Sequence, residues 1–111
     1  MNWIELNRIE QLDALVSESF VTPQLLFKHS TRCSISRMAL SKTERNYNFN
    51  THQLAPYFLD LLQHRDISNQ ISMMFNVEHQ SPQMLLIKEG KCVFTATHNE
   101  INPTDLQSYL S

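Results

Sequence analysis

Four short apolar runs, set apart by stretches of helical periodicity, constrain this chain more than any other feature. Gln24-Leu25-Leu26-Phe27-Lys28, Tyr57-Phe58-Leu59-Asp60-Leu61-Leu62, Met84-Leu85-Leu86-Ile87 and Cys92-Val93-Phe94-Thr95-Ala96-Thr97 have the length of strands rather than of helices. Between the first two, Ile35, Met38 and Ala39 recur at spacings of three and four, which predicts a helix from Ser34 to about Tyr47. A strand-helix-strand order implies a crossover and hence parallel pairing. Between the last two runs stands only Lys88-Glu89-Gly90-Lys91, so they form a hairpin with Gly90 where the turn needs positive φ.

Three more helices complete the pattern. One is predicted over residues 8–19, where Asn7 and Glu10 have capping-box spacing and Leu12, Leu15 and Val16 form the apolar stripe. Thr22-Pro23 ends it. A second begins at Asp66 as N-cap and carries Ile67, Ile71, Met74 and Phe75 as a core face. The last follows Asn102-Pro103, an N-cap and first-turn proline, and bears Leu106, Tyr109 and Leu110. The expected architecture is α/β, one domain over residues 1–111: a central four-stranded mixed sheet flanked by helices on both faces.

Several function classes are excluded by what is missing. Gly90 is the only glycine among 111 residues, so neither glycine-rich phosphate cradle can be present. Nine Lys and Arg against eleven Asp and Glu give no broad electrostatic footprint for nucleic acid. The five histidines, at 29, 52, 64, 79 and 98, lack the paired spacing of a metal-binding helix, and no metal is expected. The start Met1-Asn2-Trp3-Ile4-Glu5 has neither the basic end nor the apolar stretch of a secretory leader, and no run is long enough to span a bilayer. A cytoplasmic protein with no membrane partner is expected, its cysteines unpaired.

Cys33 stands where a strand ends and a helix begins, a place where unpaired backbone N–H groups and the helix dipole favour a thiolate. Lys28, His29 and Arg32 are near in sequence, and any that approaches the sulfur would favour the anion further. Three positions on, Ser36 stands where a second cysteine would make a C-x-x-C pair, so the chain must work with one sulfur and Ser36 can at most hydrogen-bond to it. Cys92, Phe94 and Ala96 alternate onto one apolar face of the last strand, which predicts a packed, inert Cys92.

Phe27-Lys28-His29-Ser30-Thr31-Arg32-Cys33-Ser34-Ile35-Ser36, Ile67-Ser68-Asn69, His79-Gln80-Ser81-Pro82-Gln83 and Gly90-Lys91-Cys92-Val93 together resemble the YtxJ-type monothiol bacilliredoxins over essentially the whole chain. The resemblance implies a thioredoxin-like fold and removal of bacillithiol from protein mixed disulfides, with Cys33 attacking and Thr31, Arg32, Ser36, Lys28 and His29 around it. It implies a cis-proline loop at Ser81-Pro82, flanked by His79 and Gln83, whose backbone at Ser81 would pair with the substrate. The partners implied are S-thiolated proteins and a regenerating thiol or reductase. No bound cofactor is implied, and bacillithiol serves as co-substrate, its two malate-derived carboxylates a target for Arg32 and for Lys28 or His29. The family reads Thr-Cys-Pro at the active cysteine, whereas Ser34 replaces that proline here and restores an N–H beside the sulfur. A reading from another class is a non-catalytic thioredoxin-like adaptor or redox-sensing stress protein.

Overall fold

The computed structural model describes residues 1–110. In chain order the elements are β1 (Ile4–Glu5), α1 (Gln11–Glu18), β2 (Gln24–His29), α2 (Ser34–Asn46), β3 (Ala55–Asp60), α3 (Arg65–Phe75), β4 (Gln83–Lys88) and β5 (Lys91–Thr97), then two 3-10 helices, His98–Glu100 and Pro103–Tyr109. The strands form one mixed sheet in the order β1-β3-β2-β4-β5. β2 runs parallel to β3, and β4 antiparallel to β5, as the crossover and hairpin spacing predicts; β4 joins the pair antiparallel to β2, which the spacing leaves open. The sheet has five strands rather than four. The extra one, β1, pairs Ile4 with Tyr57 and Glu5 with Phe58, and two residues are too few to show any periodicity.

All six residues of β2 are buried, which explains its uninterrupted apolar run: it lies at the centre of the sheet with helices over both faces. Its side chains alternate between two cores. Leu26 joins Leu12 and Leu15 of α1, Ile67, Ile71 and Phe75 of α3, and Leu85 and Ile87 of β4. Leu25 and Phe27 face the other way, against Ala39 of α2, Met84, Leu86, Ile101 and Leu106. Among the described residues, no helix is long and apolar enough to cross a membrane.

Several element ends differ from expectation for local reasons. No capping box forms at α1. Instead Gln11 Oε1 accepts from the N–H groups of Asn7 and Arg8, both at 2.9 Å, so the helix starts at Gln11 rather than residue 8. His64, not Asp66, is the N-cap residue of α3, and Asp66 lies in its first turn. β3 stops at Asp60, whose carboxylate accepts from Leu62 N–H at 3.2 Å and turns the chain. The last helix is 3-10, with Asn102 Oδ1 accepting from Thr104 N–H at 3.1 Å; the i, i+3 relation of Leu106 and Tyr109 suits that tighter winding.

The β4–β5 turn has positive φ at both Glu89 and Gly90, the combination that matches the twist of a two-residue hairpin. Further along, Leu86 pairs with Phe94 while Ile87 pairs with Cys92, so Val93 is an extra residue, a β-bulge. The bulge reverses the alternation. Cys92 packs on the α1/α3 core, whereas Phe94 and Ala96 pack on the α2 core, not on one common face as the sequence suggests.

Candidate active site at the C-terminal end of the sheet

Cys33 is the N-cap residue of α2, extended at φ −109° and ψ 121° and half-buried. Its carbonyl accepts the first helical bond from Arg37 N–H at 3.1 Å, and its own N–H donates to Ser30 O at 3.2 Å. The parallel pairing of β2 with β3, which matches His29 with Asp60, brings the loops after both strands to one end of the sheet. The antiparallel pairing of β2 with β4 matches Lys28 with Gln83, and so delivers the preceding Ser81–Pro82 peptide to that same end. This peptide is cis, and Pro82 O accepts from His98 N–H at 3.1 Å. The Ser81 hydroxyl is buried and has no hydrogen-bond partner among the described residues.

Alternation along β2 sends the two basic residues before Cys33 to opposite faces. Lys28 points under α3, fully buried, where its ammonium donates to Ser68 O at 3.2 Å and Ser72 Oγ at 3.3 Å and lies 3.2 Å from His79 Nδ1. Burial lowers its pKa from 10.5 to about 8. His29 points toward α2, with its Nδ1 at 2.8 Å from Ser36 Oγ and its ring 5.4 Å from that of Phe58. Desolvation lowers the His29 pKa, with Asp60 opposing, so the ring is neutral near pH 7. Neither is a surface cation of the kind that sequence adjacency to Cys33 suggests.

Ser36 has no exposed surface. Its Oγ accepts from Ser30 N–H at 3.0 Å, which leaves the hydroxyl proton for His29 Nδ1. Its hydroxyl therefore ties the start of the 30–33 loop to His29 at the end of β2. Thr31 is exposed, and its carbonyl accepts from Arg37 Nη1 at 3.1 Å. Gln83 is buried and staples its own loop, donating from Nε2 to Glu78 O at 3.0 Å while Oε1 accepts from Gln80 N–H at 3.4 Å.

Arg32 is exposed and, with Thr31, Asp60, Leu62, Gln63 and Arg65, lines a cleft of about 390 Å³. Arg65 and Asp60 escape sequence reasoning, since they are remote in the chain and come together only through the β2–β3 pairing. The available signal was their position at and just beyond the end of β3, where parallel sheets build sites. His79 is exposed; desolvation, then the charges of Lys28 and Arg65, lower its pKa.

Cys92 lies at the opposite end of the sheet. It pairs with Ile87, which pairs with Gln24 at the start of β2, while Cys33 lies beyond His29 at the other end. Five strand residues separate those levels by about 16 Å, whereas a disulfide requires Cα atoms within about 7 Å. The Cys92 thiol donates to Phe94 O at 3.4 Å, and burial raises its pKa, with backbone hydrogen bonds opposing.

The family model described as monothiol bacilliredoxin BrxC matches residues 4–106. Among solved structures, a protein described as a thioredoxin fold of suggested oxidoreductase activity is 30% identical with a TM-score of 0.77, over 95% of this chain and 90% of its own. Thioredoxin from Malassezia sympodialis superposes with a TM-score of 0.74 at 14% identity, over 97% and 87% of the two chains. Thioredoxin from Fasciola hepatica gives 0.70 at 20% identity, over 95% and 93%. At that identity the two thioredoxins speak for the fold alone.

Proposed function

The chain belongs to the monothiol bacilliredoxin family, and from that premise we propose that it removes bacillithiol, or a similar low-molecular-weight thiol, from protein mixed disulfides through Cys33. The coarser statement, a thioredoxin-fold protein of thiol oxidoreductase type, follows from the family and the fold together. The observation that carries the finer one is the separation of the two sulfurs, both half-buried, at opposite ends of the sheet. Cys33 caps a helix, the position of a second sulfur is held by the buried Ser36 hydroxyl, and Cys92 is packed at the far end of the sheet.

The step is thiol-disulfide exchange. The Cys33 sulfur, on losing its proton, attacks the bacillithiol sulfur of the mixed disulfide. That S–S bond breaks, the protein thiolate leaves and takes a proton, and Cys33 carries bacillithiol as a new disulfide. With no second sulfur in reach, a free thiol molecule or a partner reductase must attack the adduct, so the two electrons that restore Cys33 come from outside the chain. The Ser81 backbone, beside the cis-proline, offers hydrogen bonds to an extended substrate segment. The cleft of Arg32 and Arg65 suits the carboxylates of the thiol, since a guanidinium binds a carboxylate in a two-pronged manner.

Mass spectrometry of the chain after incubation with a bacillithiol-modified protein tests the reading. A bacillithiol adduct on Cys33 is the expected product. Rapid conversion of that adduct to a Cys33–Cys92 disulfide would overturn the single-sulfur mechanism, and the absence of any adduct would overturn the substrate.

A further inference from the structure

Exchange at Cys33 has no use for Lys28, yet its ammonium is fully enclosed, and among the described residues it has no salt-bridge partner. Enclosing a charge without an opposite charge is costly, and an apolar side chain of similar length would be accommodated at lower cost. What the ammonium does is join two elements. Ser68 and Ser72 come from α3, while His79 comes from the loop leading to β4 and lies two residues before Ser81.

An ammonium only donates, so the His79 Nδ1 atom at 3.2 Å must be the acceptor. The Ser68 hydroxyl lies 3.3 Å from the same nitrogen and is placed to donate as well. A neutral imidazole with an unprotonated Nδ1 carries its proton on Nε2, at the ring edge away from Lys28. The residue is exposed, so that N–H is open to a ligand arriving at the cis-proline loop.

We propose that Lys28 is a positioning residue whose buried ammonium fixes His79 as the Nε2–H tautomer, so that the ring presents a neutral hydrogen-bond donor to a carboxylate or amide oxygen of the low-molecular-weight thiol. This rests on the exchange reaction proposed for Cys33 and adds a recognition element to it. Desolvation and the nearby Arg65 favour the neutral ring. Without the ammonium, Nδ1 competes with Nε2 for the proton and the ring is no longer held.

The test combines imidazole nitrogen NMR with kinetics. Wild-type His79 is expected as the Nε2–H tautomer, and Lys28→Met as a mixture of tautomers. In the Cys33→Ser chain, which binds but cannot react, the His79 Nε2 signal is expected to move on titration with oxidised bacillithiol. Lys28→Met should raise KM for a bacillithiolated reporter protein about fivefold, the size of one neutral hydrogen bond, with kcat nearly unchanged. His79→Phe should reproduce that rise, and does so whether or not Lys28→Met folds. An Nδ1–H tautomer in the wild type, an unchanged tautomer in folded Lys28→Met, or a His79 signal indifferent to the titration would each overturn the proposal. Failure of the exchange reaction itself shows separately, as no bacillithiol released by the wild type.

Discussion

The two ends of the central strand treat buried polar groups differently. At the hairpin end Gln24 and Ser19 are buried beside the turn, and Ser19 serves it directly, its carbonyl accepting from Glu89 N–H at 3.0 Å and its hydroxyl from Gly90 N–H at 2.8 Å. At the other end Lys28, His29, Ser36, Ser68 and Gln83 are all buried, two of them ionisable, and their bonds run to the loops around Cys33 and Pro82. Between them lie Leu25, Leu26 and Phe27, which serve the two cores. At the hairpin end Ser19 serves a turn the sheet needs anyway and Gln24 Nε2 donates to Thr22 O at 2.7 Å, both neutral groups, while the other end holds an enclosed ammonium that the sheet does not need. Such a cost is retained where function requires it.

The sharpest way to break this comparison is to treat the two sulfurs alike. Cys33→Ser should abolish bacillithiol release from a modified protein, a loss of about a thousandfold or more because a hydroxyl cannot form the adduct, whereas Cys92→Ser should leave it within about twofold. Equal losses in a steady-state release assay would erase the distinction between the ends.

Next in size is Lys28→Met. Lys28 has a folded pKa of about 8 against 10.5 unfolded, so the folded state carries a cost of about 3 kcal/mol wherever both states are charged, below pH 8. Between pH 8 and 10.5 the folded chain loses this proton while the unfolded chain keeps it, and the cost disappears. Urea denaturation should therefore show Lys28→Met more stable than wild type by about 1–3 kcal/mol at pH 7, after the lost hydrogen bonds are set against it. The gap should close as pH rises toward 10.5. A gap independent of pH would mean that the ammonium is not the source.

Ser36→Ala removes the partner of both Ser30 N–H and His29 Nδ1, and should cost about 1–3 kcal/mol. It should also slow alkylation of Cys33, because the 30–33 loop loses its anchor. At the hairpin end Gly90→Ala carries a comparable or slightly smaller penalty, about 1–2 kcal/mol, for a φ of +78° and a new Cβ 3.2 Å from the Phe20 ring. Bacillithiol release should be unaffected by that change. Loss of activity in Gly90→Ala at a temperature where the chain is folded would couple the two ends and sink the comparison.

Much of the architecture was legible because it rests on local periodicity. The crossover between β2 and β3, the hairpin at Gly90 and the position of Cys33 at a helix start all follow from spacing, since the alternation of strands and helices leaves few topologies. β1 was not legible, for two residues carry no period. The direction of Cys92 was misread because one bulged residue, Val93, reverses a strand's alternation without leaving a mark in the composition. Adjacency offered Lys28 or His29 as a charge beside the sulfur, yet consecutive residues of a strand face opposite ways, and where each face leads was decided only by the helices packed over it.

The amino-acid sequence by itself determined the α/β order, the cysteine at a helix start and the absence of a second one three residues later. Those are properties of residue type and spacing, and no packing can change them. Tertiary structure alone decided that Cys92 is some sheet-length away from Cys33, that Arg65 joins Arg32 at one cleft, and that Lys28, five residues before Cys33, is enclosed under α3 with a histidine from the proline loop. Each of these depends on which strands pair and in what register, and register is settled by burial summed over the whole sheet rather than by any neighbour in the chain.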